Sequence, residues 1–146
     1  MATTRPGRVR PAYGVLRDFD TSAAAGQYDA VFSMSAFGHI QPLENTVARL
    51  SALLRPEARV YIWEMNPDFL WLAALNPHRR ALPRPAGVAG EFRRHGFSSE
   101  VLRGAASVPY RVWNRLPAPL ASMLDDAGRK VLRLSFSYVF GARRGA

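Results

Sequence analysis

From Tyr28 onward the chain alternates between apolar runs of strand length and stretches whose apolar residues recur at helical spacing. Tyr28 to Met34 carries Ala30, Val31 and Phe32 in succession, which predicts a strand covered on both faces, as in a parallel sheet. Ser33 to Ile40 is small and polar and predicts a loop. Pro42 fits the first turn of a helix, where its missing N–H costs nothing. Leu43, Val47, Leu50 and Leu54 then fall on one helical face. Pro56 predicts the end of that helix, because it disfavours helical geometry at Arg55. Val60 to Met65 is rich in β-branched and aromatic residues and predicts a second strand. Strand, helix and strand make one βαβ unit.

The pattern continues less regularly. Asn66-Pro67-Asp68 is a turn or helix-start signal, and Phe69 to Leu75 has room for two helical turns. Asn76 to Pro85 predicts an Arg/Pro-rich loop. Val88 to His95 predicts a short helix ended by Gly96, which can take the left-handed conformation. Phe97 to Ala106 predicts a strand, 107–119 an irregular proline-broken crossover, Leu120 to Leu132 a helix and Ser135 to Ala142 a final strand. Residues 1–12, broken by Pro6, Gly7 and Pro11, predict a basic tail, and Arg143-Arg144 a second one. Strands alternating with helices place residues 13–144 in one α/β domain. In such sheets ligands sit beyond the carboxyl ends of the strands. That rim holds Asp18-Phe19, Ser33 to His39 and Glu64 to Asp68.

Composition narrows this picture. At 146 residues the chain can bury a real core. It has no cysteine, which excludes disulfides and thiolate metal sites. His78 and His95 have no partners at metal-ligand spacing, so no metal is expected. No apolar run approaches the length that spans a membrane, and the N-terminus lacks the apolar core of a secretory signal, so a cytoplasmic protein is expected. The net charge of +9 rests on Arg and a single lysine, Lys130. The arginines are scattered between apolar residues, without the aromatic-and-basic alternation of a single-strand groove, so no specific nucleic acid is expected.

The residues of the βαβ unit resemble a known family. Tyr28-Asp-Ala-Val-Phe-Ser33, His39-Ile40, Leu53-Leu-Arg-Pro56 and Val60-Tyr-Ile-Trp-Glu-Met-Asn-Pro67 are similar to the fourth and fifth strand regions of class I S-adenosylmethionine-dependent methyltransferases. Phe92-Arg-Arg-His-Gly-Phe97 and Ser137-Tyr-Val-Phe-Gly-Ala-Arg-Arg144 resemble the family's later elements. The resemblance implies a partial Rossmann-like α/β sandwich with a mostly parallel sheet and an antiparallel last strand. It implies S-adenosylmethionine as cofactor and methyl transfer to a small-molecule or glycan-like acceptor. Two features depart from the family. The glycine-rich cofactor loop and the ribose-holding acid are absent, so the chain resembles the C-terminal half of such an enzyme. Pro56-Glu57-Ala58 stands where Pro-Gly-Gly is usual, so a turn needing a positive φ would strain Glu57 or Ala58.

The resemblance also assigns candidate roles. Asp18 and Phe19 match the adenine-reading position, where a carboxylate accepts from the exocyclic amine. Ser33, Met34 and Ser35 follow the strand at the methionine moiety, where Ser35, Ala36 and Gly38 allow close backbone approach. His39 is the candidate general base, with a structural loop role as the alternative. Glu64 and Asn66, at the end of the second strand, are candidates for acceptor binding; Glu64 could equally pair with a nearby arginine. The aromatics Trp63, Phe69, Trp71, Tyr110 and Trp113 are expected mostly in the core.

A half-fold of this kind leaves Ala30, Val31 and Phe32 on a bare apolar face and an open edge. At roughly 25 cal/mol per Å², several hundred Å² left uncovered forfeits on the order of 10 kcal/mol, comparable to a domain's net stability. Three remedies are expected: a longer gene product, self-association or a partner chain over the exposed face, or residues 107–132 folded across it. The alternative function is a non-catalytic α/β module that pairs with a catalytic subunit or with itself.

Overall fold

A computed structural model describes residues 21, 22, 24–40, 42–69, 82–106 and 110–146. Four strands form one sheet: β1 (Tyr28–Met34), β2 (Leu54–Met65), β3 (Phe97–Ala106) and β4 (Ser137–Arg144), in the spatial order β1-β2-β4-β3. β1 and β2 run parallel, and β4 runs antiparallel to both β2 and β3. Three strands therefore share one direction and the last opposes them, as expected. The helices are α1 (Leu43–Leu53), α2 (Pro85–Arg94), the single turn α3 (Tyr110–Trp113) and α4 (Ala118–Lys130), with 3-10 turns at Phe37–His39 and Leu132–Leu134.

Cross-strand neighbours share a face, so the register sorts the side chains. One face carries the rows Val31, Val60 and Ala142, then Ser33, Ile62 and Phe140, then Glu64 beside Tyr138. Val47 and Leu50 of α1 and Val88 and Phe92 of α2 pack on these rows to make the core. Phe92 is its hub, 5.3 Å from the rings of both Phe97 and Phe140 and stacked on Phe37 at 6.1 Å. The opposite face carries Phe32 beside Tyr61 and Met34 beside Trp63. It is open: Phe32 is 69% exposed, Met34 56% and Trp63 40%. Among the described residues, β1 is an edge strand with a partner on one side only.

Several boundaries differ from the sequence pattern. α1 ends at Leu53, and β2 begins at Leu54 and passes through Pro56. An irregularity in the β1–β2 register absorbs that stretch, and there Glu57 takes a φ of +68°. Of the two residues that could carry the strain, it is Glu57; Ala58 is buried in the core. The crossover after β3 contains the α3 turn. α4 starts at Ala118, two residues before Leu120, with proline in its first turn. Arg143 and Arg144 belong to β4, not to a tail. Trp63 and Trp113 (38% exposed) are not core residues, whereas Phe69 is buried and meets Phe136 edge-on at 5.9 Å. His95 is half-buried and faces Glu91 at 3.5 Å.

α4 does not cross the bare face near β1. It packs on β3 where two glycines meet: a Cβ on Gly104 would overlap the Gly128 carbonyl and lie 2.5 Å from Ser135 Oγ. Phe32, Met34 and Trp63 keep their exposure. The expected residues 1–12 tail and the helical turns after Phe69 lie outside the described residues.

Candidate functional site at the strand-end rim

The carboxyl ends of β1 and β2 stand side by side because the two strands are parallel neighbours. The chain leaves β1 through Ser35, whose φ of +51° lies in the left-handed region. A non-glycine residue adopts this conformation only when its surroundings fix it. Here the Ser35 N–H donates to the Trp63 carbonyl at 2.8 Å, carrying the pairing with β2 past the strand's end. The chain then curls through the Phe37–His39 turn, closed by His39 N–H to Ala36 O (3.0 Å) and Ile40 N–H to Phe37 O (3.2 Å). Phe37 is buried against Phe92 and anchors the turn to the core.

Glu64 meets this turn from β2. It is 3% exposed, and one carboxylate oxygen accepts the Gly38 N–H at 2.8 Å while the other accepts the Met65 N–H at 2.9 Å. Beside it, burial pushes the Tyr138 phenol well above its ordinary range, and the Glu64 charge adds to the shift. Tyr138 therefore stays a neutral donor, and its hydroxyl reaches the Pro83 carbonyl at 3.3 Å.

The candidate residues are placed as follows. Ser33 lies on the core face, and its buried Oγ has no hydrogen-bond partner among the described residues. Met34 projects onto the open face. Ser33, Ser35, Gly38 and Glu64 thus gather at one rim. His39 is exposed on the same turn. Asn66 is fully buried and turned toward its own chain: its amide donates to the Leu132 (2.6 Å) and Ser135 (3.0 Å) carbonyls, and its Oδ1 accepts from Asp68 N–H. Asp18 and Phe19 lie outside the described residues. Sequence reasoning missed Tyr138, which carried no signal beyond being an aromatic in the last strand. It noted Gly38 only as small; its position against a buried carboxylate depends on the fold.

Among the described residues, no group of three His, Asp or Glu side chains could hold a metal ion, and no helix is long and apolar enough to cross a membrane. Two grooves run along α4, lined by Trp113, Ser122, Met123 and Asp126 among others; neither includes a residue of the rim.

No family profile matches the chain, and no curated protein matches it. Solved structures do match. An S-adenosylmethionine-dependent methyltransferase from Archaeoglobus fulgidus is similar over 91% of this chain and 66% of its own, with 13% identity and a TM-score of 0.61. The chain has the fold of S-adenosylmethionine-dependent methyltransferases. Geranyl diphosphate methyltransferase, solved with GPP and sinefungin, is similar over 88% of this chain and 50% of its own, at 16% identity and a TM-score of 0.58. A complex containing the Haloferax volcanii Trm112 methyltransferase activator matches over 91% and 60%, at 14% identity and a TM-score of 0.60. Across eight matching solved structures, seven of them described as methyltransferases or a complex with one and the other as the [4+2]-cyclase SpnF, this chain spans 50% to 68% of the other chain's length.

Proposed function

We propose that this chain supplies one wall of an S-adenosylmethionine-dependent methyl-transfer site, acting in the cytoplasm on a small-molecule or glycan-like acceptor. The observation that carries the proposal is the rim itself. Two parallel strand ends are held together by Ser35 and Glu64, in a fold shared with methyltransferases. The bound cofactor would supply an electrophilic methyl group on sulfur. The residues of the rim fit its methionine end. Ser35, Ala36 and Gly38 allow close approach to the backbone that follows Ser33 and Met34, and Met34 adds an exposed apolar side chain beside them. Asp18 and Phe19 remain the proposed adenine contacts. His39, exposed on the turn, is the proposed general base for an acceptor proton; where the acceptor is already a good nucleophile, proximity and alignment suffice. Glu64 and Asn66 spend their hydrogen bonds on the protein's own backbone, so their proposed part in acceptor binding is to shape the wall.

One wall alone holds a ligand weakly. Titration with S-adenosylmethionine should give no micromolar binding by calorimetry, while millimolar cofactor shifts the amide resonances of Ser35 to His39. Micromolar binding to a monomer would sink the one-wall reading, and shifts confined to other segments would sink the site.

A second reading, a non-catalytic module pairing with a catalytic subunit or itself, is favoured by the open edge of β1 and the exposed Phe32, Met34 and Trp63. The Trm112 complex shows that a structure of this fold class has been solved together with an activator. A stable oligomer in size-exclusion chromatography, with no amide shifts from cofactor, would support this reading over the first.

A further inference from the structure

Three segments converge around Gly38: its own turn after β1, Glu64 at the end of β2 and Leu82-Pro83, which lead into α2. The Glu64 carboxylate is pinned locally by its bond to the Met65 N–H, so it cannot swing away without losing that partner. Its bond to the Gly38 N–H crosses to the turn after β1. Gly38 has no room for a side chain there. A Cβ would lie 2.9 Å from Leu82 Cδ2, 3.4 Å from Pro83 Cδ and 3.5 Å from Glu64 Cδ. Tyr138, the cross-strand neighbour of Glu64, closes the cluster through the Pro83 carbonyl.

A buried carboxylate is an expensive way to fill space, and an apolar side chain would pack as well without the desolvation penalty. What the carboxylate adds is a strong, directional acceptor for an N–H on a different segment. Among the described residues the turn's other backbone bonds are local, His39 N–H to Ala36 O and Ile40 N–H to Phe37 O. Its ties to β2 are thus Ser35 at one end of the curve and Gly38 at the other.

We infer that Glu64 is a positioning residue: by holding Gly38 it sets the distance of the turn from the end of β2, and with it the shape of the cofactor wall and the placement of His39. The inference rests on reading that turn as the cofactor wall. Glu64 acts through Gly38 and touches neither methyl donor nor acceptor.

The test is nuclear magnetic resonance on the full chain. In the natural protein, a scalar coupling through the hydrogen bond should link the Gly38 amide nitrogen to the Glu64 carboxylate carbon. In Glu64→Gln, the side chain offers one oxygen for two backbone donors. Hydrogen exchange at Gly38 should then rise about 10- to 100-fold, the range expected for a lost bond to a charged group. Glu64→Asp, one methylene shorter, should not rescue it. Exchange at Val60 and Ile62 should stay near its original rate. A missing coupling, or a rise shared equally by Gly38, Val60 and Ile62, overturns the inference, the latter by making Glu64 merely part of the core. The coupling is read without any variant, so a Glu64→Gln chain that fails to fold does not remove the test. Cofactor-induced shifts at Ser35 to His39 without the latch would overturn this inference alone. A latch without such shifts would overturn the functional reading alone.

Discussion

Tyr138 shows how one buried hydroxyl reports on its surroundings. Its phenol is held neutral by burial and by the neighbouring Glu64 charge. Because the fold favours the protonated form, its contribution is complete below the unfolded value of about 10 and is lost as pH rises beyond that. Urea unfolding of the natural chain should therefore show stability falling above that pH. Tyr138→Phe should lose about 1 kcal/mol at neutral pH, for the bond to Pro83, and show a shallower alkaline fall. An equally steep fall in the variant would mean that another group is responsible.

Among the elements, β4 ties the sheet to α1 through its last residue. The Arg144 guanidinium donates to the carbonyls of Ser51 and Leu54, at the end of α1 where backbone acceptors lack helical partners. Arg143, one residue earlier, makes an ion pair with Glu57 at the surface. Arg144→Ala should cost about 1–2 kcal/mol because it strands those acceptors, and Arg143→Ala at most about 1 kcal/mol. Urea midpoints for both variants decide this, and equal losses would refute the distinction. In the sequence the two arginines looked alike, a charged end, because composition does not say which carbonyls lie nearby. Hydrophobic runs did reveal β1, α1, β3 and the order of elements, but only α1 buries a continuous face; β1, expected to be covered on both faces, keeps an open one with Phe32 and Met34 exposed. The pattern misplaced the start of β2, because Pro56 reads as a helix stop whether or not the chain is already extended. The positive φ at Glu57 was foreseeable only as a choice between two residues. For the rim, the small residues and His39 were legible. The bonds from Glu64 and Asn66 were not, since both join residues far apart in the chain.

The molecule as assembled has one finished face and one unfinished one. α1 and α2 cover the first, while Phe32, Met34 and Trp63 leave the second apolar and wet. Side chains already exposed lose nothing on truncation, so Phe32→Ser should change folding stability by less than about 0.5 kcal/mol. Yet it should reduce self-association, because the patch it interrupts is what a second surface would cover. Sedimentation velocity over a concentration series checks this. Undiminished association in the variant would place the contact elsewhere.

The order β1-β2-β4-β3 also bears on biosynthesis. β4 emerges from the ribosome after the other three strands, yet it is the strand that joins β2 to β3. Until it is made, β1 and β2 form a lone pair and β3 has no partner in the sheet. Completion of this sheet must therefore wait for Ser137–Arg144. A chain cut short before Ser137 would leave a strand pair and a stray strand instead of a smaller sheet.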